Sequence, residues 1–294
     1  MPQNFYDIVW IFIIYAFLGW CTEVAYAALE HGKFVNRGFL NGPYCPIYGC
    51  GILIVVSILT PIKSNVFILF LGSFLLTSVL EFITGFVMEK IFHNKWWDYS
   101  NQHFNIMGYV CIKFSIIWGF ACTFVILIVH PVIYGLIHII PKIIGIVLIS
   151  LIMACFTADL IVTVSTIVKF NKRLKLMNEI AGRLKQISDE IGENVYEGVV
   201  GALEKKEEIQ EKSAELFDQL EDRRLKEKEE LTRKYNELMN RRNRITIRLL
   251  KAFPDMKSMY NNEILDRLKE NLKQNIKKNQ VKKEFSDDKN NQNG

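Results

Sequence analysis

Five apolar runs crowd into the first 168 residues, at about 6–29, 46–60, 66–91, 108–134 and 143–168. Four are long enough to cross a hydrocarbon layer of about 30 Å as a helix. The run from Pro46 to Thr60 is shorter; about 15 residues of helix reach only about 22 Å. It either crosses a locally thin region or re-enters. Charge is divided as sharply. Residues 1–168 hold seven of the 36 Lys and Arg and seven of the 31 Asp and Glu, so the net charge of +5 lies wholly in the remainder. This pattern predicts an all-α protein: a polytopic membrane helix bundle over 1–168, about five spans with the second one short. A cytoplasmic, coiled-coil-like helical tail follows over 169–278, and a disordered, Asn/Lys/Asp-rich end over 279–294.

Ala25-Tyr26-Ala27 has the form of a signal-peptidase site. No Lys or Arg precedes Lys33, however, and the apolar run is too long for a signal peptide, so it reads as a retained helix. Orientation follows from the excess of Lys and Arg on the cytoplasmic side. The basic start of the tail, Lys169, Lys172, Arg173 and Lys175, belongs there, and with five spans so do Lys33, Arg37, Lys90 and Lys95. Lys63 and Lys142 then fall outside. With four spans, Lys33 and Arg37 would fall outside, so the bias favours five. The expected location is a cell membrane, as a multi-pass protein with its tail in the cytoplasm.

Between the first two runs lies Gly38-Phe39-Leu40-Asn41-Gly42-Pro43-Tyr44-Cys45-Pro46-Ile47-Tyr48-Gly49. Pro lacks an N–H and Gly is costly in a helix, so this stretch is not regular helix. Irregular backbone beside a bilayer must be buried in protein or face water. Asn36, Asn41, Gly42, Pro43, Cys45 and Pro46 therefore mark a lid or coupling loop. A second polar loop holds Trp96, Trp97, Asp98 and Tyr99, and the orientation puts it on the same face. Its Trp and Tyr rings suit a membrane interface, and it too is a candidate lid or coupling element.

Glu23, Glu81 and Asp159 sit in the hydrophobic segments. Counted from the outer helix ends they share one layer in the cytoplasmic third, near Lys113 and Arg37. Each lies on a small or polar stripe of the kind that packs helix on helix. A charge in hydrocarbon costs at least about 2.5–3.5 kcal/mol, so such groups are paired or functional. Glu23, Glu81, Asp159, Lys113 and Arg37 are thus a candidate cluster, either an ion-pair network or a site for a cation, proton or polar solute. For Lys113 alone, snorkelling to the interface is the simpler reading.

The tail carries Met177, Ile180, Leu184, Ile187 and Ile191 as one heptad-like seam, interrupted by Gly192, Gly198 and Gly201. A charged helix from Ala202 to Phe253 follows, with Leu231, Tyr235, Leu238, Ile245 and Leu249 as a second seam and Pro254 as its stop. A short amphipathic helix with Met256, Tyr260, Ile264, Leu268 and Leu272 comes next. Such seams suit self-association, so the tail is a candidate homo-oligomer contact. Its charges are interspersed, which argues against nucleic acid as a partner.

Cofactor and metal chemistry have no support in the spacing. The six Cys lie at no zinc-type interval, and His93, Asp98 and His103 are only a generic trio. No Gly-x-Ser-x-Gly or His-Glu-x-x-His run points to an enzyme. Phe17-Leu18-Gly19-Trp20, Asn36 to Gly49, Leu80-Glu81, Trp96-Trp97-Asp98-Tyr99-Ser100 and Trp118-Gly119 together resemble the ABC-transporter type IV (CmpB-like) family of bacterial membrane proteins. The resemblance covers residues 1–170, and Arg248-Leu249-Leu250-Lys251-Ala252-Phe253-Pro254 is similar to a segment of its longer members. It implies a permease subunit and no catalytic residues. The chain has no Gly-x-x-x-x-Gly-Lys-Ser/Thr run, so a permease of this kind needs a separate ATPase subunit. The alternative expectation is a membrane-anchored scaffold or sensor that acts through its tail.

Overall fold

A computed structural model describes residues 2–203 and 210–274. They divide into two compact units, residues 1–169 with 244–259 and residues 170–243 with the chain from 260 onward. The first unit therefore takes back a segment that sequence order assigns to the tail.

In the first unit, α1 spans Phe5–His31, α2 Pro46–Leu59 and α3 Val66–Phe92. Each boundary has a local cause. The Asn4 side chain accepts from the Asp7 N–H to start α1, and Gly32, at φ 65°, donates back to the Ala28 carbonyl to end it. Pro46 opens α2, where its missing N–H costs nothing. The Asn65 side chain accepts from the Phe67 and Ile68 amides at the start of α3. Ile112–Ile139 is a second long apolar rod, built of α4 (Ile112–Phe124), a wide turn at Val125–Val129 and α5 (His130–Ile139). Pro131 explains the wide turn. Its ring displaces the normal register, and the His130 amide reaches Val125, five residues back. α6 begins at Lys142 and runs unbroken to Leu203.

Four helices are long and apolar enough to cross a membrane: Phe5–Glu30, Val66–Phe92, Ile112–Ile139 and the first part of α6. The apolar helix Pro46–Ile62 is shorter. Many side chains on these helices are apolar and open, as with Phe67 at 74 % and Leu75 at 55 % exposure, which is what lipid-facing surfaces require. Inside, α1 and α2 approach closely. A Cβ on Gly19 would overlap the Tyr48 ring, and one on Gly49 would lie 2.6 Å from the Phe12 carbonyl oxygen. Only glycine allows the two helices to pack so tightly.

The loop between α1 and α2 does not stay at the end of the bundle. The Trp20 indole N–H donates to the Asn36 side chain (2.8 Å), and the Cys45 amide donates to the Ala16 carbonyl (2.9 Å). The chain thus runs back beside α1 over a length that α1 spans in about 24 Å, at 1.5 Å per residue. This fold-back is why α2 is short: it starts beside the middle of α1.

The second unit contains the later part of α6, α7 (Gln210–Asn240) and a helix over 262–274. α6 and α7 form an antiparallel hairpin, joined by Arg183–Glu227 (2.9 Å) and Arg224–Glu190 (3.5 Å). Met177, Ile180 and Ile187 of the expected seam are buried within a single chain. Two expectations fail here. The charged helix does not continue to Phe253. It breaks at residues 241–243, and Ile245 and Leu249 belong to a separate helix, α8 (Arg244–Ala252), in the first unit. Met256 and Tyr260 likewise precede the last helix, because Lys257–Ser258 is extended and paired. The disordered end expected over 279–294 lies outside the described residues.

Candidate functional site: two folded-back loops and the segment that joins them

The irregular backbone of the first loop is held from two sides. From α6, the Asp159 carboxylate accepts from the Gly42 amide (2.7 Å), the Asn41 amide (3.2 Å) and the Asn41 side-chain amide (2.8 Å). Thr163, one turn on, accepts from the same Asn41 nitrogen (2.9 Å). From α8, Arg248 spreads its guanidinium over the other side of the loop. Nε donates to the Asn41 side-chain oxygen (3.0 Å), Nη1 to the Gly38 carbonyl (2.6 Å) and Nη2 to the Phe39 carbonyl (2.9 Å). Asn41 thus spans an acid within an apolar helix and a base from a segment more than two hundred residues on. Burial draws the Arg248 pKa down, and the nearby Asp159 charge opposes that shift. A Cβ on Gly42 would sit 3.2 Å from the Asp159 oxygen, so glycine lets the backbone reach the carboxylate.

The other loop residues complete this arrangement. Asn36 accepts from Trp20 and the Gly38 amide, and its side-chain amide donates to the Asn41 carbonyl (2.7 Å). Pro43 is exposed. Cys45 is buried, and burial first, then the Glu23 charge, pushes its thiol up to about 12. A thiol so shifted is a poor nucleophile.

The second loop also folds inward. Trp96 is 4 % exposed, so it is not the interfacial anchor that its sequence context suggests. It packs edge-on against Phe39 of the first loop (5.3 Å between ring centroids) and Phe253 of the returning segment (5.0 Å). The Trp97 indole donates to the Tyr109 carbonyl (2.9 Å), and Tyr99 stacks on Phe114 (4.9 Å). The Tyr99 hydroxyl hydrogen-bonds Glu81. Burial, then the Glu81 charge, pushes this phenol well above its ordinary value, which keeps it a proton donor. Asn94–Lys95 pairs antiparallel with Lys257–Ser258, and the Met259 amide adds a bond to the His93 carbonyl (3.0 Å).

Asp98 closes this second junction. It accepts from Lys257 (2.6 Å) and Lys95 (3.0 Å) and from the Ser100 hydroxyl (2.5 Å). Burial alone would raise its pKa, but the hydrogen bonds from Lys257, Ser100 and Lys95 outweigh burial and hold it well below the usual carboxylate range. The stabilisation is therefore complete above the unfolded value of about 3.9 and is lost as pH falls from there through the folded value. Lys257→Gln should lower the melting temperature at pH 7. The gap from wild type should narrow only below about pH 4. Thermal melting from pH 7 to 3 checks this, and a gap that stays constant throughout would contradict it.

The five residues of the expected charged cluster separate into distinct roles. Glu23 pairs with Arg37 (3.3 Å) and accepts from Tyr48 (2.7 Å); Arg37 also reaches Glu30 (3.3 Å). Glu81 takes Tyr99, and its Oε2 is buried without a hydrogen-bond partner among the described residues. Asp159 serves the first loop. Lys113 is exposed, with its ammonium 5.8 Å from the Phe114 ring centroid, and pairs with no acid among the described residues. Each acid therefore anchors a loop instead of joining its neighbours. Among the described residues no group of three His, Cys, Asp or Glu side chains could share a metal ion. The sequence reading singled out neither Arg248, Lys257 nor Phe253 for the site. The signal for Arg248 and Phe253 was the Arg248–Pro254 run, and Lys257 lies just beyond it.

No curated protein and no solved structure matches this chain. A family model does, over residues 10–164, which runs from within α1 through α5 and takes in both loops and the α6 acid. By that match the chain belongs to the family described as Putative ABC-transporter type IV.

Proposed function

We propose that this chain is the permease-like component of a transporter, moving a solute across a bacterial cytoplasmic membrane with a separate ATPase. The two folded-back loops and residues 244–259 form its coupling face. One observation carries this reading: Asn41 is held at once by Asp159 within an apolar helix and by Arg248 at the loop face. A partner that displaces the loop face must alter hydrogen bonds to an intramembrane carboxylate, where each charged bond contributes about 1.5–3 kcal/mol. That is a physical route from an external energy source to the bundle. The family's transporter-like character supports it, and the residues here contain no phosphate-binding run, which agrees with an ATPase supplied separately. The excess of Lys and Arg supports a cytoplasmic side for the face.

A second reading, a membrane-anchored scaffold or sensor, draws support from the path of the chain. Residues 170–243 are inserted in the sequence between residue 169 and a segment built into the loop face, so the tail is not a terminal appendage. Gentle-detergent purification of the full chain separates the two readings. An ATPase at fixed stoichiometry, lost when Asp98 and Asn41 are both replaced by Ala, supports the permease. Recovery of only the chain itself or of a regulatory protein supports the scaffold and contradicts the permease.

A further inference from the structure

The second unit carries a basic patch that the order of residues conceals. Lys172, Arg173 and Lys175 follow Val168, the last residue of the apolar run, on the same continuous helix. Residues 169–178 contain no Asp or Glu. Arg241 and Arg242 sit at the break after α7, and residues 238–254 are equally free of acids. The hairpin brings these two stretches together. Arg173 Nη2 donates to the Met239 carbonyl (3.3 Å), and Arg241 stands within electrostatic reach of Arg173.

The patch lacks internal countercharge. Lys172, Lys175, Arg241 and Arg242 are exposed, and the Nε–H of Arg173 is buried without an acceptor. Among the described residues none of the five forms an ion pair; the bridges of the hairpin lie further along, at Arg183–Glu227 and Arg224–Glu190. Like charges gathered this closely repel one another, which makes an external anion favourable. Depth identifies the source. Along α6, Lys172 lies about 6 Å and Lys175 about 10 Å beyond Val168. The headgroup zone occupies about the first 5–8 Å outside the hydrocarbon, and Lys and Arg side chains extend readily to it.

We infer that Lys172, Arg173, Lys175, Arg241 and Arg242 form a docking surface for the phosphate headgroups of anionic phospholipids, in the leaflet where α6 leaves the hydrocarbon. The surface is independent of the solute and of any ATPase. Full-length protein extracted from liposomes of equal phosphatidylcholine and phosphatidylglycerol tests it, with bound lipid counted by native mass spectrometry. Wild type should retain phosphatidylglycerol over phosphatidylcholine by about fivefold or more, and 0.5 M salt should reduce that preference, since exposed charges are screened within about 4 Å at such ionic strength. Replacing Lys172, Lys175, Arg241 and Arg242 by Gln should bring the ratio to about one while leaving the melting temperature unchanged, because all four are exposed. Arg173 is kept because it ties the hairpin. An equal ratio in wild type, or an unchanged preference in the quadruple variant, overturns the inference. Amide exchange over residues 170–175 and 238–243 in phosphatidylcholine nanodiscs distinguishes the sources. Slowing by inorganic phosphate as strong as that by phosphatidylglycerol would assign the surface to a free anion instead.

Discussion

Asp159→Ala is expected to release the first loop while the helices remain inserted. The carboxylate accepts three N–H groups, from the Asn41 backbone and side chain and from the Gly42 backbone. Thr163 still engages the Asn41 side chain, but the two backbone donors lose their acceptor in a place with little access to water. The loss should be about 3–5 kcal/mol, the range for breaking a buried charged interaction from one side. Cys45 reports it directly. Its side chain is buried, its amide is bonded to Ala16, and its thiol is shifted up to about 12. Maleimide labelling at Cys45, read by peptide mass spectrometry, should therefore be slow in wild type. In the variant it should rise by a factor between about a hundred and a few thousand, the opening equilibrium changing about tenfold for every 1.4 kcal/mol. Asp159→Asn should fall between the two, because one oxygen remains to accept. Labelling unchanged in Asp159→Ala would mean that the loop is held by its neighbours alone.

Arg248→Ala should loosen the same loop from the opposite side, by about 2–4 kcal/mol. Three acceptors lose their donor at once: the Asn41 side-chain oxygen and the carbonyls of Gly38 and Phe39. Arg248→Lys should recover less than half of the loss. A lysine keeps the charge, but it cannot spread a planar fork over three acceptors in different directions. Amide exchange over residues 36–45 checks this, with the second junction as an internal control. Lys257–Ser258 and Met259 should keep their protection, since they bond to Asn94–Lys95 and His93 without using Arg248. Full recovery by Lys would reduce Arg248 to a diffuse positive charge.

The sequence made the bundle readable because hydrophobicity and length are local properties. The apolar runs, the start of the short second run at Pro46, and the small or polar stripes on α1, α3 and α6 needed no knowledge of partners. Arg37 was legible as a neighbour of the acids, and it pairs with Glu23. What the acids do was less legible. Counting along helices gives their depth, but it cannot tell that the loops descend to meet them, because the path of a loop is set by its anchors and not by its own pattern. Trp96 shows the same limit. A Trp-Trp pair beside a span reads as an interfacial belt, yet Trp96 fills the space between Phe39 and Phe253, two residues remote in the chain. Arg248 was concealed by the heptad spacing of Ile245 and Leu249. That spacing continues the pattern of α7, while the chain itself breaks at 241–243.

The most direct test of the central claim, that Asn41 joins Asp159 to Arg248, is a double-mutant cycle read by Cys45 labelling. Wild type, Asp159→Ala, Arg248→Ala and the double variant are compared under one condition. The two replaced groups share Asn41, so their effects should fall short of additive by about 1–3 kcal/mol, and the shortfall should vanish when Asn41 is also replaced by Ala. Additive effects within about 0.5 kcal/mol in the presence of Asn41 would contradict the account, because the acid and the arginine would then hold the loop independently.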